Sequence, residues 1–289
     1  MRILVTGSTT QTGSLAVRAL LREGHAVRCL VHSEKRRPFL PRGVEIVEGD
    51  LARPDTVAPA LDAIERVVQI AHIRFAGASI PVYERAGIRR AIFLSSTRRF
   101  TQFDCVTARQ VREGEAAVEA SALDYTILRP SMIYGSARDN NIARLIRYLR
   151  RHRLFPLVGG GRNLVQPLFV LDLVAALLAA LQRHEAIRRA YTLAGPEPIP
   201  YRQQIETIAR TLGRSVVFVP FPLTPAVFLA RCAERILPRS PLKAEMLLRL
   251  QEDRAFDIGP ARQDLGFAPI SFEEGVRREA EGEIDRVWV

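Results

Sequence analysis

Short apolar runs alternate with amphipathic stretches along the first half of the chain. Arg2–Val5, Ala26–Val31, Val44–Val47, Arg66–Ala71, Ala91–Leu94 and Tyr125–Leu128 read as strands. Their near-continuous apolar character is that of strands covered on both faces. Between them, Ser14–Glu23 has helical spacing at Leu15, Ala19 and Leu20 and stops at Gly24. Thr56–Ala63, Ile80–Ala86 and Val106–Ser121 are also predicted helices, with Pro81 in a first turn. Strands and helices alternating at this spacing predict an α/β fold, a doubly wound parallel sheet with right-handed crossovers. A ligand site then belongs beyond the carboxyl ends of the strands. There the chain places Thr6-Gly7, His32-Ser33, Asp50, Ala71-His72, Ser95–Thr97 and Arg129–Met132.

The second half is mixed. Ile142–Arg151 is a basic amphipathic helix preceded by Asn140-Asn141, which read as a turn and cap, and Gly159–Gly161 marks a loop. Val170–Arg183 is a helix with Asp172 near its start, where a carboxylate suits the helix dipole. Tyr191–Ala194 and Val216–Val219 read as strands, and Tyr201–Leu212 as a helix closed by Gly213. Thr224–Leu237 is an amphipathic helix, expected to face the core or lobe, with membrane contact the alternative. There are no repeats and no linker long enough for independent domains. The expectation is one extended unit over 1–289, with a ligand-binding core over 1–135. Residues 136–289 would then be mostly a smaller C-terminal substrate lobe with some returning core elements.

Composition narrows the class. Of 289 residues, 47% are hydrophobic and 25% charged, which excludes a disordered chain. The longest apolar stretches, such as Val174–Leu181, fall far short of the roughly 20 residues that span a bilayer. The N-terminus moves straight into a strand, which reads as no signal peptide, and Cys29, Cys105 and Cys232 show no metal spacing. A cytoplasmic protein is expected. The net charge of +11 comes from arginine pairs scattered along the chain, so no nucleic-acid tract is expected. Lys35 and Lys243 are the only lysines.

Val5-Thr6-Gly7-Ser8-Thr9-Thr10-Gln11-Thr12-Gly13 resembles the TGxxGxxG turn of short-chain dehydrogenase/reductases, particularly the extended and atypical branches. Such a turn aims backbone amides and a helix dipole at a pyrophosphate. The resemblance implies a Rossmann fold, with Gly7, Thr10, Gln11, Thr12 and Gly13 at the phosphates. Thr10 stands where the central glycine belongs. It either restricts phosphate approach or supplies a hydroxyl. No carboxylate stands directly at the end of the second strand, and the run His32-Ser33-Glu34-Lys35-Arg36-Arg37 is basic. This suits the 2′-phosphate of NADP, with Ser33 and Arg36 the foremost contacts, NAD being the alternative. Asp50-Leu51 resembles the family's adenine-contacting pair, and Ala71 the residue flanking the adenosine ribose. Leu128–Gly135 is similar to the LRPxxxYG segment lining the nicotinamide, which implicates Pro130 and Met132, with His72 and Ser95 on neighbouring strand ends. Gln166–Leu173 is similar to QPVHVDDL and Asp264–Pro269 to LGFxP. The pattern thus resembles NAD-dependent epimerase/dehydratase-like proteins and NAD(P)H-binding relatives of the complex I 39-kDa subunit.

The catalytic pair usual in that family, a tyrosine with a lysine four residues on, is missing. No tyrosine occurs between Tyr83 and Tyr125, and neither lysine lies nearby. If Glu115 aligns with the glutamate usual after that lysine, Ala108 and Arg112 take the pair's places. Thr97 matches the family's hydroxyl after the fifth strand and is a candidate for binding a carbonyl oxygen, or else a turn hydroxyl. Arg112 is a candidate for stabilising an oxyanion, or else a solvated helical arginine. Tyr134 and His72 are candidate proton donors, or else structural. The leading expectation is an NADP-dependent oxidoreductase or epimerase acting on a carbonyl or nucleotide-sugar small molecule. A non-catalytic NAD(P)H-binding sensor or assembly protein and an ene/imine-type reductase are the alternatives. The resemblance further implies a homodimer.

Overall fold

The computed structural model describes residues 1–136, 139, 141–236, 248 and 251–284. They form two compact units. The first comprises residues 1–131, 170–193 and 257–268, and the second 132–169, 194–256 and 269–289.

In the first unit, strands β1 (Arg2–Thr6), β2 (Ala26–Val31), β3 (Glu45–Glu48), β4 (Arg66–Gln69), β5 (Arg90–Leu94) and β6 (Asp124–Pro130) form a parallel sheet. The order continues through β6 to an edge strand at Arg189–Leu193, giving seven strands in the order edge-β6-β5-β4-β1-β2-β3. Chain order reverses direction between β1 and β4, the place where a doubly wound sheet opens a crevice. Helix α1 (Gln11–Arg22) packs beside Val170–Gln182, and α2 (Ala76–Arg85) beside α3 (Val106–Glu119). The expected doubly wound sheet is therefore present, and the late strand at Tyr191 is its seventh member. Arginines anchor it. Arg66 and Arg90 donate to the carbonyls of Leu181 and Ala180, in the last turn of Val170–Gln182, where helix carbonyls lack intrahelical partners. Arg28, almost fully buried, donates to the carbonyls of Ala60 and Asp62 and pairs with Glu45. These three arginines thus serve the backbone.

Local expectations fail in three places here. Thr56–Ala63 is not a helix but two 3-10 turns, Pro54–Thr56 and Ala58–Leu61, because Pro54 and Pro59 lack amide donors and Ala63 turns left-handed at φ 55°. The first helix starts at Gln11, three residues earlier than the apolar spacing suggests, because Thr10 caps it. Helix α2 begins at Ala76, so Pro81 lies inside it and not in its first turn; the carbonyl this strands belongs to exposed Gly77.

The second unit holds α4 (Ile142–Leu149), β7 (Leu154–Val158), α6 (Tyr201–Thr211), β9 (Val217–Phe221) and α7 (Leu223–Ile236), while α5 (Val170–Gln182) and β8, the edge strand Arg189–Leu193, belong to the first. Two further helices follow, α8 (Gly259–Leu265) in the first unit and α9 (Phe272–Ala280) in the second. Helices α4, α6 and α9 pack on one another and each buries apolar residues, among them Ile146, Ile208 and Val276, and β7 pairs parallel with β9. Gly159–Gly161 is a loop as expected, with all three glycines at positive φ (67°, 79° and 65°). Asn141 sits at the cap position of α4 but makes no side-chain cap bond; the carboxylate of Asp139 accepts from the amides of Asn141 and Ala143 instead. Asn140 lies outside the described residues. Helix α7 faces the lobe as expected, but only through Ala226 and Ala230, which pack against Val158, while Phe228, Leu229 and Ile236 are exposed. Leu237 and Lys243 lie outside the described residues.

Candidate functional site

The site builds from the turn between β1 and α1. Gly7 adopts φ 69°, and a Cβ there would stand 2.5 Å from the amide nitrogen of Ala71. A Cβ on Gly13 would stand 2.2 Å from the carbonyl oxygen of Gly7. Both glycines are required for β1, β4 and α1 to meet this closely. Thr10 is extended (φ −74°, ψ 163°), a conformation any residue adopts, so a threonine replaces the glycine without backbone strain. Its hydroxyl donates to the Gly7 carbonyl at 2.8 Å and accepts from the Gly13 amide at 3.0 Å. The hydroxyl hydrogen is thereby committed inside the turn. The amides of Gln11 and Thr12, in the first turn of α1, have no carbonyl one turn earlier to receive them. The Gln11 side-chain nitrogen is buried and has no partner among the described residues. These donors, with the helix dipole, fit a pyrophosphate.

Around this turn lie the other strand ends. His32 is exposed, its Nδ1 3.7 Å from Asp50, and Ser33 Oγ accepts weakly from the Lys35 amide at 3.4 Å. Lys35 and Arg36 lie in the 3-10 turn Glu34–Phe39; the side chain of Arg36 lies outside what is described. Asp50 also accepts from the Ala52 amide and meets Arg53 at 3.5 Å, while Leu51 is buried in the core. Ala71 is half-buried against Gly7. His72 accepts at Nδ1 from the Arg74 amide at 3.1 Å, which leaves its hydrogen on Nε2. Partial burial, then Arg74 and Arg98, pull its pKa below the usual histidine value, so it is neutral at pH 7. A neutral imidazole is a poor proton donor, which counts against that role for His72. Thr97 opens a 3-10 turn capped by Ser96, and Arg112 is half-buried on α3.

The structure gathers Ser95, Glu115 and Arg129, which the sequence named separately, into one cluster with Arg99. Glu115 on α3 is fully buried. It accepts from Arg129 Nε at 3.0 Å and its terminal nitrogen at 2.7 Å, from Arg99 at 2.8 Å, and from Ser95 Oγ at 2.5 Å. The signal was present in the periodicity: Ala108, Val111, Glu115 and Val118 share the buried face of α3, so the carboxylate had to find buried cations. Ser95 is therefore tied to Glu115 and Arg129, while Pro130 ends β6 in register with Leu193. Deeper still, Gln69 at the end of β4 accepts from Ser79 and Tyr83.

Met132 and Tyr134 fall in the second unit. Ile133–Tyr134 pairs parallel with Leu168–Phe169, which joins the segments similar to LRPxxxYG and QPVHVDDL. The Met132 carbonyl accepts from the Leu168 amide at 2.9 Å. Tyr134 is buried to 1% exposure between Phe169 and Phe272, its hydroxyl against the backbone of Gly275 and 3.5 Å from the Phe272 carbonyl. This corrects its candidacy as a proton donor: the phenol is part of a packed core. In the segment similar to LGFxP, Asp264 accepts from the Tyr191 hydroxyl at 2.8 Å; burial first, and then this bond, raise the pKa of that phenol and hold it protonated.

A glycine turn at the switch point of a seven-stranded parallel sheet is the architecture of Rossmann-type dinucleotide-binding proteins, and two family models of that kind match parts of the chain. The NAD(P)H-binding family matches residues 7–145, and the NAD-dependent epimerase/dehydratase family residues 98–194. Among particular proteins, the chain is similar to the 2-alkyl-3-oxoalkanoate reductase of Stenotrophomonas maltophilia, 29% identical over 96% of this chain and 98% of that one. It is also similar to the photosystem II assembly factor Ycf39 of Trieres chinensis, 25% identical over 77% of this chain and 73% of that protein. Its fold matches UDP-glucuronic acid 4-epimerase of Bacillus cereus, solved with UDP-glucuronic acid and NAD, at a TM-score of 0.76 and 16% identity, covering 99% and 100% of the two chains. Among the described residues no helix is long and apolar enough to cross a membrane, and no group of residues could hold a metal ion.

Proposed function

We propose that the chain binds NADP(H) at the carboxyl ends of β1 to β4 and reduces a carbonyl group of a small molecule without a Tyr/Lys pair. The observation that carries this reading is the turn held by Gly7, Thr10 and Gly13, with unpaired donors of Gln11 and Thr12 at the head of α1. The basic run after β2, with no carboxylate at His32 or Ser33, supports the phosphorylated cofactor. When bound, the nicotinamide supplies the hydride. In this reading the Thr97 hydroxyl orients the carbonyl oxygen, and the Arg112 guanidinium stabilises negative charge growing on it. Arginine stays protonated throughout, and His72 is held neutral, so solvent supplies the proton. The second unit serves as the substrate lobe. A carbonyl substrate is favoured over a nucleotide sugar by the full-length similarity to an oxoalkanoate reductase; ene and imine substrates share the same lack of need for a phenol.

A second reading rests on the same absence. With Tyr134 packed away, the chain would bind the dinucleotide without turnover, as an assembly or sensor protein. Calorimetric titration with NADPH and NADH in parallel, followed by NADPH consumption with 3-oxo acids, separates the readings. Tight NADPH binding with turnover supports the reductase. Tight binding without turnover on carbonyl, imine or nucleotide-sugar substrates supports the second reading. No binding of either nucleotide sinks both.

A further inference from the structure

The second unit leaves a large apolar surface uncovered. In β9 the alternate residues Val217, Val219 and Phe221 are 55%, 45% and 36% exposed, so one face of the strand is both apolar and open. Their register partners on β7 include Leu154, 59% exposed, and the exposed Pro156. On the opposite face Phe155 packs edge-on against half-buried Phe218, and Pro220 is exposed. Pro222 leads directly from β9 into α7, where the same imbalance recurs. The small residues Ala226 and Ala230 pack inward against Val158 and Val227. At helical spacing, Pro225, Phe228, Leu229, Cys232 and Ile236 share the other side. Phe228, Leu229 and Ile236 are 66%, 55% and 78% exposed. Isolated exposed apolar residues are ordinary; a stripe along a helix and the face of an adjoining strand is an interaction surface.

Charge decides what covers it. Residues 150–158, 214–221 and 223–236 carry six arginines against one glutamate. Arg151 and Arg153 are exposed immediately before Leu154, and the Val217 amide donates to the Arg153 carbonyl, which brings Arg214 to the same end. Arg231 and Arg235 border the stripe on α7. With a whole-chain charge of +11, a second copy is repelled while a negative surface is attracted. We propose that β7, β9 and α7 form a peripheral docking surface for an anionic lipid bilayer. Phe228, Leu229 and Ile236 enter the acyl boundary, and the arginines meet the headgroups.

The test is flotation of the full chain with vesicles of phosphatidylcholine alone or of equimolar phosphatidylcholine and phosphatidylglycerol. The chain is expected to float with the anionic vesicles, and less so at high salt. The double substitution Phe228→Ser/Leu229→Ser is expected to weaken partitioning by at least about tenfold. Arg231→Glu/Arg235→Glu is expected to weaken it further at low salt than at high salt. All four positions are at the surface, so unchanged melting curves and circular dichroism certify the variants. Failure to float with anionic vesicles overturns the proposal, as does equal flotation of the Phe228/Leu229 variant. A concentration-dependent dimer abolished by that same variant, without vesicle binding, overturns it in favour of a second copy.

Discussion

Replacing Glu115 with glutamine removes the one negative charge at the centre of the Ser95–Arg99–Arg129 cluster while keeping its shape. The carboxylate is fully buried and Arg129 nearly so, whereas Arg99 is about a third exposed. A pair near 4 Å contributes about 4 kcal/mol at an effective dielectric of 20. Arg129 sits near that value, while solvent screens Arg99 to well below it. Against this stands the desolvation of the carboxylate, which the variant no longer bears. Its amide nitrogen, however, faces donors and cannot accept from them. Breaking a buried pair by removing one partner costs about 3–5 kcal/mol, and the lower end applies here because Glu119 lies 3.6 Å from Arg129 as a partial replacement. At roughly 2–4 °C per kcal/mol for a body of this size, the melting temperature of Glu115→Gln should fall by about 6–12 °C. Differential scanning fluorimetry reads this directly. A companion double variant, Glu115→Leu/Arg129→Met, should recover part of the loss, because the charges it leaves without these partners, Arg99 and Glu119, are about a third or more exposed. A fall smaller than about 2 °C for Glu115→Gln would refute the reasoning, since the cluster would then contribute no more than a surface pair.

Other outcomes follow from single sites. Gly13→Ala places a methyl 2.2 Å from the Gly7 carbonyl and should abolish calorimetric NADPH binding, whereas Thr10→Ala should cost about 1 kcal/mol of stability through loss of the cap and leave binding measurable. If Asp139 caps α4, Asp139→Ala should lower the melting temperature through a loss of about 1 kcal/mol, while Asn141→Ala, whose side chain makes no cap bond, should change it far less. His72 has its pKa depressed in the folded chain, so the unfolded chain binds the extra proton first. Its contribution is fully present above the unfolded value of 6.5 and is lost as pH falls toward the folded value. Melting temperature should therefore fall less with acidification in that window for His72→Asn than for the parent, and identical slopes would remove the histidine from the account.

Much of the first unit was legible because its determinants are local. Apolar runs of strand length, a glycine turn and a helix stop at Gly24 each act within a few residues, so β1, α1 and β2 could be read in order. The elements that went astray were those where a distant group or a proline's missing donor decided the outcome. Arg28 supplies the turns at Pro54–Leu61 with donors from β2, and Asp139, not Asn141, reaches the first turn of α4. The missing Tyr/Lys pair was visible in composition alone, since two lysines in the chain leave none for the site.

What the chain by itself determined was the sheet, its switch point and the type of ligand the β1–α1 turn can hold, because periodicity and glycine placement act at short range. Only the tertiary structure decided which way polar and apolar groups face. It turned the Thr10 hydroxyl inward to Gly7 and Gly13, sealed Tyr134 between two phenylalanines, and gathered Arg99 and Arg129 on Glu115. On α7 it buried alanines and exposed Phe228 and Ile236. A helix apolar on two sides has no sequence preference for which side packs, and close approach to β7 went to the side with the small residues.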